Sequence, residues 1–590
     1  MIKTVNHKAS GSKGDVTVAP AWRFLLTIFL LGLLAVLVVW RVLSLQVLDT
    51  DRGYEFLQGQ GDARTIRTEH IPAYRGSITD RNGEPLAVST PVASVWVNPK
   101  YFIEEKSRWH DLAAKLDVSV SRIEEKVTKN RARSFVYLRR HISPEKAESI
   151  KLLKMKGVNI QREYKRFYPA AEVASHVVGF TNIDDKGQEG MELAFDKWLS
   201  GEAGSKKVLK DLHGNTFRDV EQGKVARSGK NISLSIDLRL QYLAYRELKA
   251  ALQKVGAKSG SIVMLDSVTG EVLAMANQPS FNPNNRRKLD PDSLRNRAMI
   301  DMLEPGSTVK PLMMVAALES GKYSPFTKID TNPGHIRVGS KTLVDPVNYG
   351  VIDVTKVLTK SSQVGTSKIA LDLDEQSVWE VFQRFGLGLS TDSGFPGESA
   401  GLLPNRSHWR PIERATFAFG YGLAVTPLQL AQAYSVFAND GKMQGATLLR
   451  QSESQQTTQV VTPRVSHQIV TMLETVVGEN GTGKSAGLDA YRVAGKTGTI
   501  HKADKGGYAD DRYTAVFAGL APASNPRLVV VVVLDEPKLK MYHGGEVAAP
   551  VFSKVVDDAL RILDVAPDKR IPAQQVVEGV TRKVGGRKSV

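Results

Sequence analysis

The run Glu304-Pro-Gly-Ser307-Thr-Val-Lys310-Pro311 opens a helical stretch, Leu312 to Leu318, that stops near Gly321. With Ser307 in the first turn, Lys310 lies one turn further along the same face, within reach of the serine hydroxyl. Pro311 is tolerated this early in a helix, where its missing N–H breaks no ladder. A serine that attacks a carbonyl needs a base, and a lysine can serve only when neutral. Burial or a neighbouring positive charge lowers its pKa to that end. The helix amino terminus also offers N–H groups to the oxyanion formed in such an attack. A serine and lysine at this spacing are common on solvated helix faces, so the reading depends on what accompanies them.

A second lysine stands in Tyr491-Arg-Val-Ala-Gly-Lys496-Thr-Gly498-Thr499, an alternating stretch that predicts a strand. Gly495 and Gly498 are expected to let another backbone approach, as when an extended peptide adds to a strand edge. Lys496, Thr497 and Thr499 present a charge and two hydroxyls suited to a carboxylate. Between the two segments, Lys360-Ser361-Ser362-Gln363 offers a hydroxyl and an amide, although serine-rich triplets usually serve as caps or turns.

The flanking sequence sets these segments in an architecture. Ser261–Leu265 and Val272–Ala276, joined by Asp266-Ser-Val-Thr-Gly270, read as a hairpin for a sheet covered by helices. Asp237 is placed to cap a helix with Leu240, Leu243, Ala244 and Leu248 on one face. The polar turn Ala226–Lys230 before it marks a domain boundary. Residues 57–229 mix short alternating runs such as Ala93–Val97 with helical stretches at Asp111–Leu116 and Pro144–Met155. Near the amino terminus, Phe24–Trp40 is an uncharged run of 17 residues between Arg23 and Arg41, extended by Val42–Leu48. It is apolar on every face, and the preceding excess of Lys3, Lys8, Lys13 and Arg23 over Asp15 predicts a cytoplasmic tail at 1–23. Since nothing after the run looks like a cleavage site, residues 24–45 read as a retained anchor. Residues 566–590 read as a basic solvated tail.

Composition narrows the chemistry. With 590 residues and no cysteine, the chain holds more than one core and can use neither disulfides nor thiolates. Its eleven histidines show no metal-ligand spacing, so neither a metal nor another cofactor is expected. The net charge of +17 suits an anionic surface or polymer. One decoy stands out: Gly478-Glu-Asn-Gly-Thr-Gly483-Lys484-Ser485 matches the phosphate-loop pattern. Val465, Ile469, Leu473 and Val476 before it have helical spacing, however, whereas a phosphate loop must follow a strand.

Taken in order, the serine–lysine, serine–amide and lysine–threonine–glycine segments resemble the signature of the penicillin-binding protein and serine β-lactamase superfamily. The resemblance continues in Arg75-Gly-Ser-Ile-Thr-Asp-Arg-Asn-Gly83 and Gly187-Gln-Glu-Gly190-Met-Glu192, which are similar to pedestal segments of class B penicillin-binding proteins. It extends to Phe419–Gln429 and Gly544–Phe552, covers roughly residues 57 to 565, and is nearest the division-specific group. It implies an α/β (α+β) chain with a single transmembrane helix, an elongated mixed pedestal at 57–229, and a transpeptidase domain at 230–565 with an antiparallel sheet covered by helices.

The resemblance further implies that Ser307 is the acylated nucleophile, Lys310 its base, Ser361 a proton relay and Lys496 the group that tunes them. Gln363, Thr497, Gly498 and Thr499 would bind substrate, a peptidoglycan stem peptide, and the N–H groups of Ser307 and Thr499 would hold the oxyanion. β-Lactams would act as substrate mimics. An integral-membrane glycosyltransferase and other division proteins are the expected partners, at the inner membrane with the catalytic domain periplasmic; nucleic acid is not expected. One residue departs from the family pattern, since Gln363 stands where asparagine is usual. That departure keeps a low-activity division scaffold in view, beside an elongation-specific transpeptidase and a β-lactamase.

Overall fold

Leu-Val-Val-Val-Val-Val-Leu-Asp at Leu528–Asp535 is a run of β-branched residues that forms the middle strand of the main sheet. Its neighbours alternate between two cores. Val529, Val531 and Val533 enter one, while Leu528, Val530, Val532 and Leu534 enter the other, as the two-residue period of a strand dictates. The computed structural model describes residues 20–46, 66–210, 216–287, 289–452, 456–504, 507–538 and 541–569. Residues 1–19 of the expected cytoplasmic tail and 570–590 of the expected basic tail lie outside the described residues.

The sheet has five antiparallel strands in the order Val272–Gln278, Ser259–Asp266, Leu528–Asp535, Gly507–Ala521, Ala494–Asp504. The first two contain the expected hairpin. One face is covered by helices Leu238–Val255 and Ala549–Ile562. The former begins where the Asp237 side chain accepts from Arg239 N–H and ends at Gly256, whose φ of 64° needs no Cβ to be accommodated. Leu240, Leu243, Ala244 and Leu248 are buried on its inner face as their spacing predicts. The opposite face carries helices Lys310–Glu319, Pro427–Ala438 and Pro463–Val477. Residue Lys496 therefore lies on an edge strand, paired on one side only.

The amino-terminal region is built on strand Pro85–Val97, paired with Val136–Ile142 and Val158–Phe167. Helices Trp109–Leu116, Val120–Lys129 and Pro144–Lys151 contribute to a separate small core beside it. The last of these is shorter than the expected Pro144–Met155. Lys154 and Gly157 take left-handed φ values of 48° and 74°, and the chain turns so tightly past Phe102 that a Cβ on Gly157 would lie 2.8 Å from the Phe102 nitrogen.

Two motif segments far apart in sequence meet here. Arg75 Nε donates to Glu192 Oε2 at 2.7 Å, Arg166 Nε donates to Glu192 Oε1 at 2.6 Å, and Arg75 Nη1 reaches Asp196 Oδ1 at 2.7 Å. Both arginines and Glu192 are buried, so each charge depends on its partners. At the expected boundary, Ile232–Ser233 pairs in parallel with Ile78–Thr79. Ile78, Leu86, Ile232, Leu234 and Ile236 all join the core that lies under the main sheet, so the two regions meet through packed side chains.

Ala21–Gln46 forms one continuous helix, the one helix among the described residues long and apolar enough to span a bilayer. Phe24, Leu31, Leu34 and Trp40 are all exposed, and a helix apolar on every face with nothing packed against it suits lipid.

Candidate active site

Ser307 sits in a tight helical turn, Gly306–Val309, that runs directly into helix Lys310–Glu319. The turn is fixed from several sides. Thr308 Oγ1 donates to Pro305 O at 2.6 Å, and the buried Tyr434 hydroxyl donates to Thr308 O at 2.7 Å. Gly306 has φ 53°, and a Cβ on Gly420 would fall 2.2 Å from Gly306 O, so the Phe419–Gln429 segment presses directly on the turn. Ser307 is half-buried, and among the described residues its hydroxyl has no hydrogen-bond partner.

Lys310 is wholly buried. Its Nζ donates to Ser361 O at 2.6 Å, to Ser361 Oγ at 3.1 Å and to Ser362 O at 3.3 Å. Burial brings its pKa down to about 7, against the opposing pull of the Asp345 carboxylate. Lys496, also fully buried, donates to Ser361 Oγ at 3.0 Å and to Thr497 O at 3.1 Å. Burial first, and then the neighbouring Lys310 charge, hold it well below the usual lysine range. One hydroxyl thus joins the two lysine amines.

Ser361 takes a left-handed φ of 56°, uncommon for a residue with a Cβ. Its neighbour Ser362 caps helix Gln363–Asp372 by accepting from Gly365 N–H at 2.8 Å. The buried Asp345 completes the cap. It accepts from Ser362 Oγ at 2.5 Å, Gln363 N–H at 2.5 Å and Val364 N–H at 3.2 Å. The Gln363 side chain is half-buried and, among the described residues, makes no hydrogen bond.

On the edge strand, Thr497 Oγ1 lies 2.9 Å from Thr482 Oγ1, and Thr499 Oγ1 accepts from Gly544 N–H at 3.0 Å. The Thr499 hydroxyl proton remains available to an acceptor. The small residues have a different reason from the one expected. A Cβ on Gly498 would meet the Thr308 methyl at 2.9 Å and Pro305 O at 3.3 Å, and one on Gly495 would meet the Phe517 ring at 2.6 Å. Gly498 therefore lets the serine turn itself seat against the strand.

The structure brings Lys310, Ser361, Lys496 and Thr497 into one hydrogen-bonded chain, with Ser307, Gln363, Gly498 and Thr499 on the elements around it. Sequence reasoning missed Asp345, which no motif marks, and Thr482, which sits inside the phosphate-loop look-alike. That loop follows helix Pro463–Val477 and enters a short turn, Lys484–Ala486, so the strand a phosphate loop requires is absent there. Also unforeseen is Glu304, whose Oε1 accepts from Gly422 N–H at 2.9 Å and from the Tyr508 hydroxyl at 3.1 Å.

A serine on a turn seated against an edge strand, followed three residues on by one of two buried lysines that share a hydroxyl, defines the penicillin-recognising serine acyltransferases. Residues 260–557 match the penicillin binding protein transpeptidase domain, and residues 70–234 match the penicillin-binding protein dimerisation domain. The chain is 43% identical to a probable peptidoglycan D,D-transpeptidase PbpC of Pseudomonas aeruginosa, covering 93% of this chain and 96% of that one. It is 40% identical to peptidoglycan D,D-transpeptidase FtsI of Escherichia coli, covering 93% of each. The crystal structure of penicillin-binding protein 3 from Mycobacterium tuberculosis in complex with aztreonam superposes with a TM-score of 0.66 at 28% identity, covering 85% of this chain and 98% of that one. The chain belongs to the class B penicillin-binding protein family.

Proposed function

We propose that this protein is a septal peptidoglycan D,D-transpeptidase, acting through an acyl-enzyme on Ser307. The observation that carries the reading is the hydroxyl of Ser361 held at 3.1 and 3.0 Å from two buried lysines, one of which, Lys310, begins the helix entered by the turn of Ser307. A donor stem peptide lies along the edge strand with its terminal carboxylate at Thr497 and Thr499. Neutral Lys310 takes the Ser307 proton as Oγ attacks the penultimate D-alanine carbonyl. The oxyanion is met by the N–H groups of Ser307 and Thr499. As the intermediate collapses, the Lys310 proton passes through Ser361 to the leaving nitrogen, and D-alanine departs. The amine of a neighbouring stem peptide then attacks the ester, its proton passes by way of Lys310 to Ser307 Oγ as that oxygen is expelled, and the acyl group leaves on the amine as a cross-link. Gln363 positions the donor peptide. β-Lactams acylate Ser307 in the same way but present no leaving group that diffuses away.

The single apolar helix fits an inner-membrane protein anchored by one span. The basic flank in the sequence supports an orientation with the amino terminus in the cytoplasm and the catalytic domain in the periplasm. An integral-membrane glycosyltransferase of the division machinery supplies the glycan strands. Labelled penicillin with peptide mapping tests the assignment: the label should fall on Ser307 and vanish in Ser307→Ala while the fold persists, and labelling that survives the substitution refutes it. A phosphatase fusion after Glu55 should be active and one after Asp15 inactive, and the reverse would refute the orientation.

A further inference from the structure

Glu304 stands three residues before Ser307 and lines a cavity of about 560 Å³ together with Ile500 and His501. Three carboxylates border this space, those of Asp301, Glu304 and Asp535. Asp301 is paired with Arg295 and Arg297, and Asp535 with Lys502. Glu304 alone has no basic partner among the described residues. Its carboxylate is nevertheless fixed, since Oε1 accepts from Gly422 N–H at 2.9 Å and from the Tyr508 hydroxyl at 3.1 Å. Oε2 has no partner among the described residues and keeps contact with solvent.

Two aromatic rings stand beside this carboxylate. Tyr421 and Tyr508 meet edge to face with centroids 5.2 Å apart, and Tyr508 is 48% exposed. Burial first, and then the Glu304 charge, push both phenols up, so both lie within the field of the carboxylate. An accessible carboxylate without a counter-ion, next to aromatic rings, has the chemistry of an ammonium site. An anion is repelled there, and a neutral amide gains only an ordinary hydrogen bond.

The reaction assigned above supplies the cation. In cross-linking, a stem peptide is an acyl donor in one encounter and an amine nucleophile in another. A donor whose amine has not yet reacted therefore brings an ammonium with it, since a free alkyl amine is protonated at neutral pH. With the donor's carboxylate at Thr497 and Thr499 and its carbonyl at Ser307, the rest of its chain continues along the strand past Ile500, beside the space that Glu304 lines. Resting on that assignment, we infer that Glu304, Tyr421 and Tyr508 form a subsite for the free ammonium of the donor stem peptide. Held there, the donor's amine stays protonated and unreactive while the amine of the neighbouring strand attacks the ester. A stem peptide whose amine is already spent in a cross-link carries a neutral amide at that point and is a poorer donor. The subsite thereby selects stem peptides with a free amine as donors.

The test uses penicillins whose straight acyl side chains, of increasing length, end in a primary amine, each matched with its N-acetylated counterpart. The acyl side chain stands where the donor chain continues. Second-order acylation of the full-length protein in detergent is measured by stopped flow. At the length that reaches Glu304, the amine should acylate Ser307 about tenfold faster than its acetylated match, as a charge-assisted contact provides. In Glu304→Gln that ratio should fall to about one, and in Tyr508→Leu it should fall part of the way. Because the ratio compares two ligands on one protein, a general loss of activity in a variant does not imitate the effect. Equal rates at every length would overturn the inference and leave the acyl-enzyme assignment standing, as would a preference that Glu304→Gln retains. Absence of acylation by every compound would instead overturn that assignment, and this inference with it.

Discussion

Lys310 and Lys496 donate to the same oxygen, Ser361 Oγ, from 3.1 and 3.0 Å. Two ammonium groups so placed, both buried, cannot both keep their protons at neutral pH.

The first consequence is a pH profile. In the proposed mechanism Lys310 is a base only when neutral, and burial brings its pKa down to about 7. The rate of penicillin acylation should therefore rise as pH climbs through about 7 and then level. Stopped-flow acylation across pH measures this, and a rate that stays flat through that range would show that Lys310 is not the base. Stability follows the same linkage. Between about pH 7 and the ordinary lysine value near ~10.4, the unfolded chain binds more protons, so Lys310 adds stability as pH rises through that window.

Gln363 predicts a small effect. Its amide has the donor and acceptor of asparagine one methylene further out, and no neighbour among the described residues ties it back. Gln363→Asn should alter the acylation rate by no more than about tenfold, the worth of one misaligned neutral hydrogen bond. If the natural protein is not acylated and the variant is, the residue has disabled the enzyme.

Asp345 is expected to matter as a positioning residue. It receives Ser362 Oγ and two N–H groups at the start of helix Gln363–Asp372, one residue from the bridging Ser361. Asp345→Ala should cost about 1–3 kcal/mol of stability and slow acylation. It should also lower the pH of the acid limb, because the carboxylate opposes the fall in the Lys310 pKa. Asp345→Asn, which keeps an acceptor, should recover most of the stability but not the limb. Denaturation and acylation profiles distinguish the two; an unchanged limb in both variants would count against the carboxylate's reach.

Glu192 should be the most sensitive charge of the pedestal. Its removal leaves Arg75 with Asp196 but strips Arg166 of its carboxylate in a buried setting. Glu192→Ala should destabilise the pedestal by about 3–5 kcal/mol. Thermal unfolding with a probe in that region, such as Trp109, reads the loss. A change below about 1 kcal/mol would show that the cluster relaxes without it.

The residues of the candidate site were legible in the sequence because they occur as ordered segments whose chemistry requires one another. Ser307 and Lys310 share a helix turn, and Lys496 lies on an alternating strand. The hairpin from Ser259 and the helix capped by Asp237 were visible for similar local reasons. Asp345 was not, because its role depends on a contact with Ser362 seventeen residues later across an irregular segment. Thr482 was hidden by the look-alike loop that contains it. The Arg75–Glu192 pair could have been suspected, since each of two motif segments carries a charge with no local partner, yet their meeting is a fact of topology. Gly498 was recognised as a site of close approach, but sequence alone does not say that the approaching group is the serine turn.

The middle strand Leu528–Asp535 has one more consequence. Its alternate side chains are the parts of two separate cores, one beneath the acylation site and one beneath helix Ala549–Ile562. The strand therefore behaves like a reading frame. A substitution of similar size perturbs a single letter on one side, but an insertion or deletion of one residue exchanges the contents of both cores at once. Length can thus change in the surrounding loops, while this segment can drift in composition and never in length.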